Sequence, residues 1–338
     1  MINPKKRTSA PSNITVRLPN WMGDLVMSAA FIQQLKQLYP DAKIQAIVKD
    51  NLSELATLIP CIDIITPFAK QDHPGLGAIK QFAKVYAAHP SDIFFCLPDS
   101  FSSAWMAYYF SSSHRIGYKK ELRQLLLTHS YKKPKGLHRV EEYIRLLELY
   151  CGARLKATHI KLNSPTNEET TKTYRKKMVF HFKSAASSRS LSVEKTAEII
   201  RTILDNKAQQ IVLIGSNEEK PFADEVIKTL NSSMVLNLAG SLSLLELAAL
   251  LKNASLLLSV DSGPAHLANA FGTKTIVLFG PGNKKNTAPY NDKKLHIIRS
   301  DKECNCGVRN ECIYGIPQCM ESFSAMRITN IILKVLAE

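Results

Sequence analysis

The sequence predicts an α/β protein made of two doubly wound, Rossmann-like domains in tandem, with a cleft between them. Short apolar runs alternate with segments whose apolar residues recur at helical spacing, which is the pattern of a parallel sheet covered by helices. This alternation occurs in both halves of the 338-residue chain. Between the halves, residues 163–177 are polar, carry no strong apolar period and contain a proline, as is typical of a linker.

The first half alternates from its beginning. ITVRL alternates apolar and polar residues and predicts a strand, and AAFIQQLKQLY has the spacing of a helix that Pro40 ends. The next elements are, in order, KIQAIVK (strand), LSELATLI (helix), IDIITPF (strand), a helix near 77–88, DIFFCL (strand), SSAWMAYYF (helix) and HRVEEYIRLLELYCG (helix). We therefore expect an N-terminal domain over residues 1–165 and a linker over 166–177.

The second half resumes the alternation. MVFHF predicts a strand, VEKTAEIIRTIL a helix, QIVLIG a strand and KPFADEVIKTL a helix. The pattern continues through MVLNLAG, LLELAALLK, ASLLLSV, PAHLANAFG and TKTIVLFG. A C-terminal domain over residues 178–338 follows, and its last helix could also pack back on the N-terminal domain.

Composition and charge narrow the class of protein. Hydrophobic residues make up 45% of the chain, which is enough for packed cores. No apolar run reaches the roughly 18 residues of a membrane helix, and the basic N-terminus lacks the apolar stretch of a signal peptide. A cytoplasmic protein is therefore predicted. The formal charge of +15 indicates an anionic partner: nucleic acid, an anionic membrane surface or a phosphorylated substrate.

Part of this charge is concentrated in one segment. Between Arg115 and Arg139 there are eight Lys or Arg residues and one acid, Glu121. The segment is either a solvated basic face or a binding surface for a negatively charged partner.

Seven cysteines in a cytoplasmic chain are expected to be reduced. Four of them are clustered near the C-terminus: Cys304, Cys306, Cys312 and Cys319. Their spacing lacks the C-x2-C knuckles of a typical structural zinc site. The sequence therefore predicts no metal site there and leaves the purpose of the cluster open.

The turns from strand to helix are where ligands bind in such sheets. The turn SVDSGPAH at 259–266 follows an apolar strand, and Pro264 stands where a helix can begin without its N–H. Small residues expose the N–H groups of the helix N-terminus, which favours a phosphate. Ser262 and His266 could contact the same ligand, and Asp261 could cap the helix, orient the turn or bind a substrate hydroxyl. The alternative is an ordinary capped helix with a satisfied histidine.

Two other turns have similar features. In RLPNWMGDLVMSAA, Gly23 permits close approach, and Asp24 is either a helix cap or a general base. Trp21 beside it is a packing residue or the wall of a sugar pocket. The loop 181–192 offers hydroxyls and the cations Lys183 and Arg189, which suit a diphosphate. Neither G-x4-G-K-[ST] nor G-x-G-x-x-G is present, which disfavours an ATPase or a dehydrogenase.

Four segments together resemble the family 9 glycosyltransferases, the bacterial heptosyltransferases of lipopolysaccharide core synthesis. They are N-W-M-G-D-L-V-M-S, N-L-A-G-S-L-S-L-L-E-L-A-A-L-L, V-D-S-G-P-A-H-L-A-N-A-F-G-T and I-V-L-F-G-P-G-N-K-K-N-T-A-P-Y. The resemblance covers nearly the whole chain and implies a GT-B fold, with two Rossmann-like domains facing a central cleft. It also implies inverting transfer with no D-x-D metal motif, so no metal or other cofactor is expected.

The resemblance also implies the substrates. The donor would be ADP-L-glycero-β-D-manno-heptose, held by the C-terminal domain. The acceptor would be heptosylated Kdo-lipid A, held by the N-terminal domain at the inner face of the inner membrane. A nucleic-acid-binding protein without catalysis is the remote alternative suggested by the charge, but no nucleic-acid module is found in the sequence, so no nucleic-acid partner is expected.

Residue roles carry over where the family's motifs match. Asp24 matches the general base, and Asp261 matches the aspartate near the donor sugar. The other donor-side matches are Ser262, Gly263 and His266 at the diphosphate, Leu242 at the adenine pocket, and Glu219 at the ribose, with Glu218 competing for that role. For the acceptor we expect contacts from Trp21, Gly23, Lys119, Lys120 and Arg123.

One loop departs from the family pattern. The family usually has P-G-A and then a lysine before an Arg/His-Trp-Pro segment, whereas this chain has F-K-S-A-A-S-S-R-S-L-S. Ser184 falls in the small-residue turn, and Arg189 falls where the phosphate-binding lysine is expected. Arginine keeps the positive charge and adds bidentate geometry, while Lys183 is a competing phosphate ligand. The loss of P-G and W-P leaves the loop shape and the sugar identity open.

Overall fold

The structure is a computed structural model that describes residues 11–86, 91–156, 158–165, 172–207, 209–302, 304 and 310–338. The chain divides into two compact units, Met1–Asn163 and Ser164–Glu338. Half of the predicted linker, residues 166–171, lies outside the described residues.

The N-terminal unit contains six parallel strands in the order β3-β2-β1-β4-β5-β6. Its strands are β1 (Asn13–Arg17), β2 (Lys43–Lys49), β3 (Ile64–Phe68), β4 (Ile93–Cys96), β5 (His114–Tyr118) and β6 (His129–Tyr131). Its helices are α1 (Met22–Leu38), α2 (Ser53–Ala56), α3 (Gly75–Tyr86), α4 (Phe101–Tyr109) and α5 (Arg139–Cys151), with 3₁₀-helices at Asp50–Leu52 and Glu121–Leu125. This strand order is the doubly wound arrangement that the alternation predicts.

The C-terminal unit repeats this topology, with the order β12-β11-β10-β7-β8-β9, again all parallel. Its strands are β7 (Met178–His181), β8 (Ile211–Leu213), β9 (Val235–Asn237), β10 (Leu256–Val260), β11 (Thr275–Phe279) and β12 (Leu295–Arg299). Its helices are α6 (Val193–Asn206), α7 (Lys220–Leu230), α8 (Leu244–Asn253), α9 (Gly263–Ala270), α10 (Lys284–Thr287), α11 (Gln318–Glu321) and α12 (Ala325–Ala337), with 3₁₀-helices at Ser187–Arg189 and Asn217–Glu219.

The strands of both sheets pack within apolar cores. The central strands β4, β7, β10 and β11 are buried along their whole length, as expected for parallel strands covered on both faces. The last helix, α12, packs against α6, and Ile328, Ile332 and Val335 on it join the core of the C-terminal unit. Within the described residues, no helix combines the length and the apolar character that a membrane span requires.

All strands of each sheet are parallel, so their carboxyl ends lie at one edge. In the N-terminal unit this edge leads into the turns that hold Asp24, Asp99 and Lys119. In the C-terminal unit it leads into the turns that hold Glu219 and Asp261. Each unit therefore gathers polar side chains from turns far apart in the chain at one edge of its sheet.

Candidate active-site residues

In the C-terminal unit, the turn after β10 is built as an open helix N-terminus. Helix α9 begins at Gly263 with Pro264 in its first turn, and Ser262 is its N-cap in an extended conformation. The Ser262 side chain makes no capping hydrogen bond, because its hydroxyl contacts His181 instead, 2.9 Å away. The Ser262 side chain therefore does not cap the first N–H groups of α9. Uncapped N–H groups at a helix N-terminus can bind an anion.

Asp261, just before this turn, is only 4% exposed and forms an ion pair with Arg189. The Arg189 Nη1 to Asp261 Oδ2 distance is 2.9 Å. Burial raises the pKa of the Asp261 carboxyl above its usual value, and the Arg189 charge and hydrogen bond offset only part of this effect. The pair links the loop after β7 to the turn after β10, so the guanidinium lies at the helix N-terminus.

The loop after β7 is held in place by serine hydroxyls. The Ser184 N–H donates to Ser190 Oγ at 3.1 Å, and the Ser184 hydroxyl lies 3.5 Å from the Asp261 carbonyl oxygen. The Lys183 ammonium group lies 4.8 Å from the ring centroid of Phe222. Of the two candidate phosphate ligands, Arg189 is therefore placed at the α9 turn, and Lys183 is placed beside α7.

His181, at the end of β7, connects two of the predicted donor residues. Its Nδ1 lies 2.9 Å from Ser262 Oγ, and its Nε2 lies 3.2 Å from Glu219 Oε2. The ring is 6% exposed. Burial acts to raise the pKa of Glu219, but hydrogen bonds from His181 and from the Ser216 N–H, together with nearby positive charge, lower it below its usual value.

This histidine was not predicted as a site residue. MVFHF predicts a strand, and the signal for His181 is a titratable side chain at the carboxyl end of that strand, where ligands bind in such sheets. The same contacts separate the two competing glutamates: Glu219 is half-buried and bonded to His181, and Glu218 is exposed.

Three other donor-side positions have different surroundings. His266 is 6% exposed on α9, and Leu242 is half-buried just before α8. Gly282, in the loop after β11, lies so close to the Asp261 turn that a Cβ there would be 3.1 Å from Asp261 Oδ2 and 2.6 Å from Phe279 Cε1. The loop therefore approaches Asp261 only because position 282 has no side chain, a requirement that the sequence analysis did not identify.

In the N-terminal unit, Asp24 lies in the first turn of α1 beside Arg139 of α5. The Arg139 Nε to Asp24 Oδ1 distance is 3.3 Å. Burial raises the pKa of Asp24 above its usual value, and the charges of Arg139 and Lys133 offset part of the rise. The Asp24 side chain remains 27% exposed, so the carboxylate is both partly desolvated and reachable.

Arg139 belongs to a larger set of alternating charges. It also pairs with Glu142, and Glu142 lies 3.4 Å from Lys133. Lys133 bonds Asp99 at 2.7 Å. The basic segment 115–139 is therefore not simply a solvated face: part of it positions Asp24 through paired charges.

The comparisons with known proteins are consistent with this geometry. The family model for glycosyltransferase family 9 (heptosyltransferase) matches residues 81–316, well over half of the chain. The chain belongs to glycosyltransferase family 9. As a member of that family it is a glycosyltransferase, and the family resemblance of its motifs is confirmed.

Individual relatives extend this result. This family 9 chain is 27% identical over 312 residues to lipooligosaccharide heptosyltransferase 2 of Haemophilus influenzae, covering 85% of this chain and 88% of that protein. It is similar to the solved Escherichia coli ADP-heptose lipopolysaccharide heptosyltransferase II, with a TM-score of 0.83 and 22% identity over 96% of this chain and 98% of the other.

A second solved structure is the Escherichia coli heptosyltransferase WaaC with ADP-2-deoxy-2-fluoro heptose. It matches this family 9 chain with a TM-score of 0.73 and 18% identity, over 95% of this chain and 99% of the other. The two sheets and these likenesses confirm the GT-B class of two Rossmann-like domains.

The structure corrects one prediction for the acceptor. Arg123 is 1% exposed, and its guanidinium donates to the Tyr118 carbonyl oxygen at 3.0 Å and lies 3.6 Å from Asp99. It supports the loop from inside and does not face solvent as an acceptor ligand would. Lys119 and Lys120 are exposed at the end of β5.

The remaining predicted positions of the family 9 chain are near the first turn of α1. Trp21 is 67% exposed at the N-cap of α1, and Gly23 is half-buried in its first turn.

Of the cysteine cluster, Cys306 lies outside the described residues, and Cys319 is buried in the core of the C-terminal unit. Among the described residues, no three His, Cys, Asp or Glu side chains are grouped as metal ligands.

Proposed function

We propose that the protein is an inverting heptosyltransferase. It moves L-glycero-D-manno-heptose from ADP-heptose to heptosyl-Kdo-lipid A, in the inner-core assembly of lipopolysaccharide. The names of the relatives support the sugar and the pathway. The observation that carries the proposal is the donor edge of the C-terminal unit, where Arg189, the Ser262 hydroxyl and the N-terminus of α9 adjoin the buried Asp261.

The chemistry begins at Asp24. Its carboxylate takes the proton from the acceptor hydroxyl, whose oxygen then attacks the anomeric carbon of the heptose. A partly buried carboxylate with a raised pKa is a stronger base than an exposed one, and the Arg139 charge favours its ionised form. Attack from the face opposite the diphosphate inverts the configuration.

The leaving group is held at the donor edge. As the bond between the anomeric carbon and the phosphate oxygen breaks, its electron pair goes to ADP, which gains negative charge. Arg189 and the N–H groups of α9 are positive groups that stabilise this charge as it develops. Asp261 holds Arg189 in place through the 2.9 Å ion pair and would meet the sugar hydroxyls. Because the chain itself supplies this positive charge, we also propose that transfer needs no metal ion.

The nucleoside part would lie along α7. A shallow pocket there is lined by Lys183, Glu219 and Phe222, together with apolar residues of β7 and β8. The Glu219 carboxylate suits the ribose hydroxyls, and the half-buried Leu242 suits the adenine face. We also propose that the protein acts at the cytoplasmic face of the inner membrane, where its glycolipid acceptor is anchored.

Calorimetric titration with ADP, and with UDP and GDP as controls, tests the donor. Selective ADP binding followed by transfer from synthetic ADP-heptose to the glycolipid supports the proposal. A preference for UDP or GDP would keep the family and reject ADP-heptose as the donor. Selective ADP binding with transfer to a different acceptor would indicate a first- or third-heptosyltransferase reaction instead, an alternative left open by the altered loop at 181–192.

A further inference from the structure

Helix α4 presents a stripe of aromatic side chains. Phe101, Trp105, Tyr108 and Tyr109 recur at i, i+4, i+7 and i+8, which places them on one side of the helix. The helix contains no charged residue. Its opposite side is buried through residues such as Ala104, whereas Phe101 and Tyr108 are 36% and 47% exposed. Large apolar side chains on the solvent side of a helix are unusual without a partner.

The aromatic rings form one connected surface with the neighbouring helix α3. The ring centroids of Phe101 and Trp105 are 6.0 Å apart, and those of Trp105 and Tyr109 are 5.0 Å apart. Trp105 Nε1 donates to the carbonyl oxygen of Leu76 at 2.8 Å. The Lys80 ammonium lies 4.9 Å from the centroid of Tyr109. The Leu76 side chain is itself 42% exposed and extends the surface onto α3.

Two exposed leucines lie on the neighbouring 3₁₀-helix Glu121–Leu125, which packs against α4. Leu122 and Leu125 are 68% and 77% exposed. Arg123 between them is turned inward to Tyr118 and Asp99. The buried guanidinium therefore fixes a short segment whose two apolar side chains extend into solvent.

We define the interfacial patch as Leu76, Phe101, Trp105, Tyr108, Leu122 and Leu125. Five of these six residues are among the fourteen large apolar side chains that are exposed in the described part of the chain. These apolar residues are therefore concentrated on one region of the N-terminal unit and are not scattered singly, as surface apolar residues usually are.

Positive charge surrounds the patch. Apart from the inward-turned Arg123, residues 75–86 and 101–125 contain five Lys or Arg side chains and one acid, Glu121. Lys84, Lys119 and Lys120 are exposed, and the Arg115 guanidinium lies 5.4 Å from the ring centroid of Tyr108. Aromatic rings at the boundary of an apolar layer, with lysines and arginines beside them, match the chemistry of an anionic membrane surface.

We propose that the interfacial patch docks the protein on an anionic bilayer, with Leu122 and Leu125 inserted among the lipids. The patch begins after the carboxyl ends of β4 and β5, at the edge of the sheet where β1 leads to Asp24, and extends along α4 to Tyr108, which lies beside Arg115 near the start of β5. Docking there would bring a membrane-anchored acceptor to the edge that carries the base. The delivery of the acceptor rests on the proposed function, whereas the binding of the patch to an anionic bilayer does not.

The chain contains two tryptophans, Trp21 and Trp105, so Trp105 can be made a specific probe. In a Trp21→Phe protein, Trp105 emission is recorded during titration with vesicles of phosphatidylethanolamine and phosphatidylglycerol, and with vesicles of phosphatidylcholine alone. We expect a blue shift with the anionic vesicles that weakens as salt is added. No shift with anionic vesicles, or an equal response to the neutral ones, would overturn the proposal.

A pair of double variants tests the inserted residues. Leu122→Ser with Leu125→Ser should weaken partitioning to anionic vesicles by about tenfold or more. Ile313→Ser with Ile316→Ser removes two apolar side chains of comparable exposure from the C-terminal unit, 50% and 67% exposed, and should leave partitioning unchanged. Equal weakening by both pairs would overturn the assignment to this patch.

Nucleotide binding and sedimentation complete the test. Each variant should keep the ADP affinity and the unfolding midpoint of the parent, so that lost partitioning is not lost folding. Self-association that is abolished by the leucine pair, without vesicle binding by the parent, would assign the patch to a second copy of the chain and overturn membrane docking. Vesicle binding without ADP binding would instead count against the proposed function alone.

Discussion

At the scale of single residues, the Asp24 carboxylate illustrates how neighbouring charge controls a base. Its ionisation is opposed by burial and favoured by Arg139, which lies 3.3 Å away, and by Lys133. The turn after β1 marks Asp24 as a helix cap or a base, and the family resemblance implies the role of base. Arg139 could not be chosen from the sequence, because it comes more than a hundred residues later and meets Asp24 only through the packing of α5 beside α1.

Replacing Arg139 with Gln should move the pH dependence of transfer. Only ionised Asp24 can act as a base, so the rate rises with pH through the pKa of Asp24. Without the Arg139 charge that pKa rises further, and the acidic limb of the kcat profile should shift to higher pH. Arg145→Gln is the matched control, because Arg145 lies on the same helix and pairs with Glu148. Unchanged acidic limbs in both variants would contradict the role of Arg139.

Asp24→Asn keeps the side-chain shape and removes the base. Transfer should fall by about 10²- to 10⁴-fold, while ADP affinity stays close to that of the parent. Single-turnover rates and calorimetry on the same preparation measure the two quantities. A variant that retains most of its transfer rate would remove Asp24 from the reaction.

The phosphate-binding cation is the next test at this scale. Arg189→Ala should weaken ADP binding by about tenfold or more, because a charge-assisted hydrogen bond contributes about 1.5–3 kcal/mol. AMP, which lacks the second phosphate, should lose less affinity. Lys183→Ala is the comparison, since Lys183 lies over Phe222. If Lys183→Ala is the more damaging change, the phosphate role moves to Lys183.

His181 offers a further test of the donor site. His181→Phe keeps an aromatic ring in the buried position but removes both hydrogen bonds, to Ser262 and to Glu219. We expect ADP affinity to fall by about three- to tenfold, since each lost hydrogen bond is worth about 1 kcal/mol or less. Calorimetry measures this, with circular dichroism as the folding control. Parental affinity in a folded variant would mean that the histidine is only a packing residue.

At the scale of elements, the buried strands and the long helices could be predicted, and three strands with a weak apolar signal could not. Strand β10 is an apolar run with all residues buried, so its pattern is unambiguous. Strands β5, β6 and β12 were missed. Strand β6 has no fully buried residue, and β5 opens with His114 and Arg115. Strands β6 and β12 lie at sheet edges and are only partly buried, and β5 is buried only over its last three residues, so all three lack the continuous apolar signal on which the prediction depends.

Loop contacts are likewise absent from local sequence patterns, and Gly282 is the clearest case. In Gly282→Ala the new methyl group would overlap Phe279 and press on Asp261. We expect a loss of about 1–3 kcal/mol in the free energy of unfolding and weaker ADP binding. Gly77→Ala in α3 is the control, because its added Cβ would lie within 4 Å of nothing beyond its chain neighbours and the backbone of its own helix. Urea unfolding of both variants measures the change in the free energy of unfolding. A fully stable Gly282→Ala protein with parental ADP affinity would show that the loop can move aside.

At the scale of the whole molecule, the net charge of +15 suits both proposed partners, a nucleoside diphosphate and an anionic glycolipid layer. The charge is used in different ways in the two units. In the C-terminal unit Arg189 is paired with Asp261 at a helix N-terminus, and in the N-terminal unit exposed lysines adjoin the interfacial patch. Composition alone predicted an anionic partner but could not choose among nucleic acid, membrane and substrate, because that choice depends on which charges are paired.

A chain that supplies its own positive charge to the leaving group should not need a metal ion. Treatment with EDTA followed by gel filtration should leave the rate of heptose transfer unchanged, and added Mg²⁺ should not raise it. The Arg189→Ala variant sharpens this test, because Mg²⁺ bound to the diphosphate could then replace the missing charge. Partial recovery by Mg²⁺ in the variant, with no effect on the parent, is the expected pattern. A parent enzyme that loses activity in EDTA and regains it with a divalent cation would place a metal in the reaction and reduce Arg189 to a supporting role.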